Sequence, residues 1–186
     1  MQSPFQFLIE TVFDLYMMVI LLRFFLQLFR ADFYNPLSQF VVRATNPVLK
    51  PLRKIIPGLG GIDISSLSFA FIVSLMKFSL IYAVVSNVFP SVAQLIIISL
   101  ADLLTQIANL LFWMILVRVL MSWINPGPNP MAAVIHQLTE PLMGPVRRML
   151  PPMGGLDLSP IILLLALRFS LMAINSWFVA PLLQFF

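Results

Sequence analysis

The sequence predicts an all-α membrane protein of four transmembrane helices, built as two parallel repeats of helix, amphipathic basic loop and helix. Three observations carry that prediction: a composition too apolar for water, four apolar runs of spanning length, and a loop motif that occurs twice. Of 186 residues, 60% are hydrophobic and 10% charged, and the mean hydropathy is +0.99. A soluble domain carries about 25% charged and about 45–50% apolar residues, so lipid is the expected solvent. The runs Phe5–Phe29, Leu67–Phe89, Leu103–Ile124 and Pro160–Pro181 each approximate the ~20 residues that cross a hydrocarbon core of about 30 Å. Ser91–Leu100 fits either an interfacial segment or an extension of the third helix after Pro90 breaks the second.

The N-terminal MQSPFQFLIE has no cation before its apolar run and no small-residue cleavage site, so it reads as a retained first helix. The absence of cysteine excludes disulfides, thiolate metal sites and thiol nucleophiles. A net charge of +4 beside membrane spans points to topology and anionic head groups rather than nucleic acid.

Residues 35–65 align without a gap to 129–159 at an offset of 94, with roughly a third of positions identical. Asn35-Pro36 matches Asn129-Pro130, and Thr45-x-Pro47 matches Thr139-x-Pro141. Pro51-x-Arg53 matches Pro145-x-Arg147, and Pro57 matches Pro151. Gly60-Gly61-x-Asp63-x-Ser65 matches Gly154-Gly155-x-Asp157-x-Ser159. The expected organisation is repeat 1 over 1–89 with its loop at 30–64, a connector at 90–102, and repeat 2 over 103–186 with its loop at 125–158. Each repeat holds an even number of spans, so the second enters the membrane in the orientation of the first.

Arg30, Arg43, Lys50, Arg53, Lys54, Arg147 and Arg148 lie in the two loops, whereas the N-terminus, the 90–102 connector and the C-terminus hold no Lys or Arg. The positive-inside rule then places both loops in the cytoplasm and both termini outside. Within the loops, Leu37, Phe40, Val41, Ala44 and Val48 match Met131, Val134, Ile135, Leu138 and Leu142 at i, i+3, i+4, i+7 spacing. That spacing predicts a short amphipathic helix, opened by Asn-Pro and stopped by Thr-x-Pro, with a stiff Pro-x-x-x-Pro stretch beyond it. The expected partners of the loop cations Arg43, Lys50, Arg53, Lys54, Arg147 and Arg148 are anionic head groups or a partner protein.

Asp63-x-Ser65 and Asp157-x-Ser159 precede apolar runs, where an oxygen-bearing N-cap is needed. A second reading pairs each Asp with the Arg ten positions earlier, Arg53 or Arg147. Arg23 and Arg118 stand a turn or two from the cytoplasmic helix ends, within snorkelling reach of the interface. Asp14, Lys77 and Arg168 fall deeper, where a charge is costly unless paired. Asp14 is expected to partner Lys77 or Arg168, the two cations lining one interior, with Asp102 solvated near the outer surface. His136 has no Cys or second His nearby and reads as a surface residue rather than a ligand. No protease, hydrolase, phosphate-binding or dinucleotide motif is present, and no metal or cofactor is expected. Polar side chains such as Gln27, Ser74 and Asn109 suit hydrogen bonds between helices or an oligomer.

The doubled NP…TxPxxxPxRxxxP…GGxDxS loop between paired spans resembles that of the YggT family of small bacterial and plastid membrane proteins, over the chain from about Glu10 onward. The resemblance implies a bacterial inner-membrane protein without catalytic activity. It associates such proteins with tolerance of hyperosmotic shock, ion balance, cell division or nucleoid placement, and cytochrome assembly in plastids. The loops diverge at Asn46 against Glu140, Lys50 against Gly144 and Ser66 against Pro160. Two functional classes follow: a membrane scaffold or assembly factor working through the loops, and a channel or transport accessory working through the intramembrane charges.

Overall fold

A computed structural model describes residues 3–58, 60–85, 89–124, 129–150 and 157–180. Those residues form six α-helices and a π-helical turn, with no strand among them. In order they are α1 (Pro4–Leu28), α2 (Pro36–Ile55), α3 (Ile64–Val85), α4 (Val92–Ile124), α5 (Pro130–Met149) and α6 (Ser159–Ala173), followed by the turn Ile174–Val179. Four helical stretches, Pro4–Leu28, Ile64–Val85, Val92–Ile124 and Ser159–Ser176, are long and apolar enough to cross a membrane, and make the chain a multi-pass membrane protein by length and composition. Of the ambiguous segment 91–100, all but Ser91 belongs to α4. At 33 residues that helix is about 50 Å long, well beyond the hydrocarbon thickness.

One core joins α1 to α5. Met17, Ile20, Leu21, Phe24, Phe25 and Leu26 of α1 meet Val41 and Leu49 of α2, Phe69, Ala70 and Val73 of α3, Leu103, Leu110 and Met114 of α4, and Val134 and Leu138 of α5. Ser66, Ala70 and Ser74 recur every fourth residue along α3 and are fully buried. A stripe of small residues of this kind lets neighbouring helices approach closely. Tyr16 and Phe69 seal the α1–α3 contact edge to face at 5.8 Å. On α6, by contrast, Ile161, Ile162, Leu165, Phe169 and Met172 are exposed.

α1 ends in a Schellman motif: the Ala31 N–H donates to Leu26 O at 2.9 Å and the Arg30 N–H to Gln27 O at 3.2 Å. The motif needs a left-handed residue, and here Arg30 fills it at φ 51°. α2 and α5 begin where their Asn-Pro pairs place them. Asn35 Oδ1 accepts from the Ser38 N–H at 2.9 Å and Asn129 Oδ1 from the Met131 N–H at 2.9 Å. Neither helix stops at Thr-x-Pro, which corrects the expected proline stop: α2 continues through Pro47 and Pro51, and α5 through Pro141 and Pro145. The paired prolines are four residues apart and all four are exposed. The carbonyls they leave without a helical donor, on Arg43, Pro47, Gln137 and Pro141, therefore belong to exposed residues that water or head groups can reach.

Candidate functional site: a buried ion cluster and two arginine clamps

Three spanning helices converge on Lys77. Its ammonium donates to Asp14 Oδ1 of α1 at 2.7 Å and to Asp102 Oδ1 of α4 at 2.6 Å. The Lys77 side chain is 3% exposed, Asp102 12% and Asp14 37%, so the ammonium is sealed while one carboxylate reaches the bundle surface. Ser74, one turn before Lys77, places its hydroxyl 2.6 Å from Asp102 Oδ2 and 3.2 Å from the Ser99 carbonyl oxygen. Asp102 is thus not the solvated outer residue that the sequence led us to expect. α4 starts at Val92 rather than Leu103, which carries Asp102 about 15 Å into the helix and level with Lys77. Nor do Lys77 and Arg168 line one interior. Arg168 is exposed on α6 and lies over the Phe112 ring, 4.3 Å from its centroid. Phe112 is ten residues beyond Asp102 on α4, a separation of about 15 Å, so Arg168 cannot reach Asp14.

Arg23 and Arg118 do not snorkel. Arg23 is buried, and its Nη1 donates to Thr45 Oγ1 at 2.8 Å, Asn46 Oδ1 at 2.9 Å and Val42 O at 3.2 Å. Arg118 Nη1 donates to Thr139 Oγ1 at 2.9 Å, and its Nη2 to Glu140 Oε2 at 2.7 Å. Each threonine hydroxyl also donates back to the carbonyl four residues earlier, Val41 O or Ile135 O, at 2.7 Å. The two arginines therefore clamp α2 and α5 against the spans. Snorkelling to the interface was the expectation; fully buried Thr45 and Thr139 instead supply acceptors at 2.8 and 2.9 Å.

Arg53 and Arg147 each reach the aspartate ten positions on, as in the second reading of the Asp-x-Ser motif; Arg53 is half-buried there and Arg147 stays exposed. Arg53 donates to Asp63 and to Gln27 Oε1, the latter at 2.9 Å. Asp63 also accepts from the Ser66 N–H at 3.3 Å and the Ser66 hydroxyl at 2.6 Å, so it caps α3 and binds Arg53 together. Burial works against its ionisation, but the hydrogen bonds from Arg53 and Ser66 prevail and hold its carboxyl below the usual range. In the second half Arg147 bonds Asp157 and Glu140 at 3.0 Å, and Asp157 accepts from the Ser159 N–H at 2.9 Å. Glu140 and Asp157 are also held low against a burial penalty, Glu140 by Arg118, Arg147 and His136, and Asp157 by Ser159 and Arg147. His136 is exposed, with Nε2 3.4 Å from Glu140.

Arg43, Lys50, Lys54 and Arg148 stay exposed. Arg148 lines a groove of about 410 Å³ with Phe29, Gln137 and Gly144. Beside it the Asp32 N–H donates to Gln137 Oε1 at 2.9 Å, fastening the α1–α2 connection to α5. Pro36 and Pro130 occupy the first helical positions. Gly60 and Gly61 adopt φ of 60° and 89°, a turn that the Ser65 hydroxyl closes by donating to Ile56 O. Pro57 lies in that exposed loop, and Pro151, Gly154 and Gly155 lie outside the described residues. Among the described residues no group of three His, Cys, Asp or Glu side chains could hold a metal. Sequence reasoning missed the Arg–Thr clamps, although their spacings of 22 and 21 residues recur almost unchanged.

The CCB3/YggT family model matches residues 2–84 and 97–178. The chain belongs to the CCB3/YggT family. It is 47% identical over 169 residues to the protein of the proC 3′ region of Vibrio alginolyticus, covering 90% of this chain and 91% of that one. It is 47% identical over 161 residues to YggT of Escherichia coli (strain K12), covering 87% and 84%. Over 78 residues it is 34% identical to the chloroplastic YlmG homolog protein 2 of Arabidopsis thaliana, covering 42% and 30%. No solved structure matches. The names of these CCB3/YggT relatives state no reaction and no substrate, so the functional argument rests on the residues.

Proposed function

We propose that the protein is a non-enzymatic scaffold of the bacterial inner membrane, linked to osmotic stress tolerance, that presents two rigid basic helices to anionic lipid and to a membrane-protein partner or a second copy. One observation carries this reading: α2 and α5 are each pinned to the spans by an arginine, buried Arg23 and partly buried Arg118, while Arg43, Lys50, Lys54 and Arg148 remain exposed. Pinning fixes the helices before any ligand arrives, so binding costs little further ordering. The Lys and Arg distribution supports a cytoplasmic location for this face. The doubled loop motif, the two segments matched by one family model, and the recurring order of long helix, Asn-capped helix and long helix support two parallel repeats about an axis along the membrane normal. The test replaces Arg43, Lys50, Lys54 and Arg148 with Gln and measures co-purifying anionic phospholipid, captured membrane partners and growth under hyperosmotic shock. All three fall if the scaffold reading is right; unchanged lipid and partner binding would refute it. A channel or transport accessory is the second reading, favoured by the carboxylates around Lys77. Ion flux across vesicles that is lost in Lys77→Met, with the loop variant fully active, would select it instead.

A further inference from the structure

Two shortages meet at Lys77. Asp14 and Asp102 carry two formal negative charges against one ammonium, a surplus that a bilayer interior penalises. Among the described residues no second Lys or Arg pairs with either carboxylate. Glu10, one turn away on α1, is a carboxylate bonded by Gln6, and Arg168 of α6 lies over Phe112, about 15 Å further along α4. The second shortage is in hydrogen bonding. The Ser74 hydroxyl faces two acceptors, Asp102 Oδ2 and the Ser99 carbonyl, with a single proton to donate. Ser99 lies one turn before Asp102 on the face of α4 that meets Ser74, and its own hydroxyl is fully buried without a hydrogen-bond partner.

We propose that the Asp14–Lys77–Asp102 cluster binds one further monovalent cation, a proton or an alkali-metal ion, on the oxygens of Asp102, Ser74 and Ser99. Either ligand adds one positive charge and neutralises the cluster. A proton on Asp102 Oδ2 lets Asp102 donate to Ser74 and frees the Ser74 proton for the Ser99 carbonyl, so both contacts become hydrogen bonds. An alkali-metal ion takes the carboxylate and the two hydroxyl oxygens as hard ligands. The route in is past Asp14, the partly exposed member. This inference is independent of the scaffold reading and holds whether or not the cation crosses the membrane.

The test uses the full chain in lipid nanodiscs. Infrared spectra of protein carrying ¹³C-aspartate look for a protonated carboxylic-acid band that moves with the label. In parallel, thermal unfolding is titrated with lithium, sodium or potassium chloride against choline chloride at equal ionic strength. A labelled acid band that disappears in Asp102→Asn identifies the ligand as a proton. A saturable rise in Tm with one alkali salt over choline, lost in Ser99→Ala and in Asp14→Asn, identifies a metal ion. Ser99→Ala removes a single hydroxyl and spares the ion pairs, so it keeps the metal arm decisive if an aspartate variant fails to fold; the label shift does the same for the proton arm on the native chain. Neither an aspartic-acid band nor an alkali-specific shift would overturn the proposal, as would either signal surviving in Asp102→Asn.

Discussion

The two halves of the chain use the same clamp with different chemistry. In the first, Arg23 is buried on neutral acceptors, Thr45, Asn46 and the Val42 carbonyl. In the second, Arg118 meets Thr139 and the carboxylate of Glu140, which it shares with Arg147. The membrane charges diverge in the opposite sense: Lys77 of α3 is enclosed by two carboxylates, whereas Arg168 of α6 rests on an aromatic face at the bundle surface. Of its clamp arginine and its membrane cation, each half thus pairs one with a carboxylate and leaves the other without one in contact: Lys77 is paired in the first half and Arg118 in the second. In both clamps an arginine meets a threonine hydroxyl at 2.8–2.9 Å, and the residue after that threonine, Asn46 or Glu140, decides whether a carboxylate joins it.

The largest test of that contrast is Lys77→Met against Arg168→Met. Removing Lys77 leaves two facing carboxylates at membrane depth and should cost about 3–5 kcal/mol of stability. Arg168→Met should change it by less than ~1 kcal/mol, because an exposed cation–π contact is worth little. Unfolding of both variants in the same lipid mimetic checks the difference; equal losses would mean that Arg168 has a partner of its own.

Exchanging the clamps is the next test. Asn46→Asp places a carboxylate 2.9 Å from the Arg23 guanidinium and should raise stability by about 1–2 kcal/mol, the gain of a charge-assisted bond over a neutral one. Glu140→Gln makes the reverse change and should lower it by about 1 kcal/mol, less because Glu140 is one-third exposed and screened. If Asn46→Asp were destabilising, the first clamp would be tuned for neutrality.

Acid offers a smaller separation. Asp63, Glu140 and Asp157 have folded-state values below their ordinary ones. Their stabilisation is complete above the ordinary carboxylate range and is lost as pH falls below about 4 through the folded values. Asp63 is almost fully enclosed and Asp157 is not, so Asp63→Asn should flatten the acid limb of a stability–pH curve more than Asp157→Asn. High salt should weaken the Arg147 pairs and leave Arg53–Asp63 nearly intact.

The smallest effect belongs to Arg30, left-handed at the end of α1. Arg30→Gly should stabilise by about 0.5 kcal/mol, relief of Cβ strain being partly offset by greater freedom of the unfolded chain. A lower unfolding temperature would show that the Arg30 side chain makes a contact worth more than the strain.

What the sequence by itself determined is whatever depends on local chemistry. Apolar run length set the four long helices, because a bilayer demands internally bonded backbone over a known thickness. Asn-Pro set the starts of α2 and α5, because an amide oxygen and a proline suit an N-cap and first turn. Prolines 47, 51, 141 and 145 misled, since the cost of a missing N–H depends on whether the orphaned carbonyl meets solvent, and only packing decides which face that is. The same holds for charge. That Lys77 takes Asp14 and Asp102 together was settled by where α4 begins and how it lies against α1 and α3, that Arg23 and Arg118 turn onto threonines by how α2 and α5 pack on α1 and α4, and that Arg168 is left at the surface by how α6 lies on α4. Ion pairing requires proximity within a few ångströms across helices far apart in sequence, and residue spacing along one helix carries no record of it.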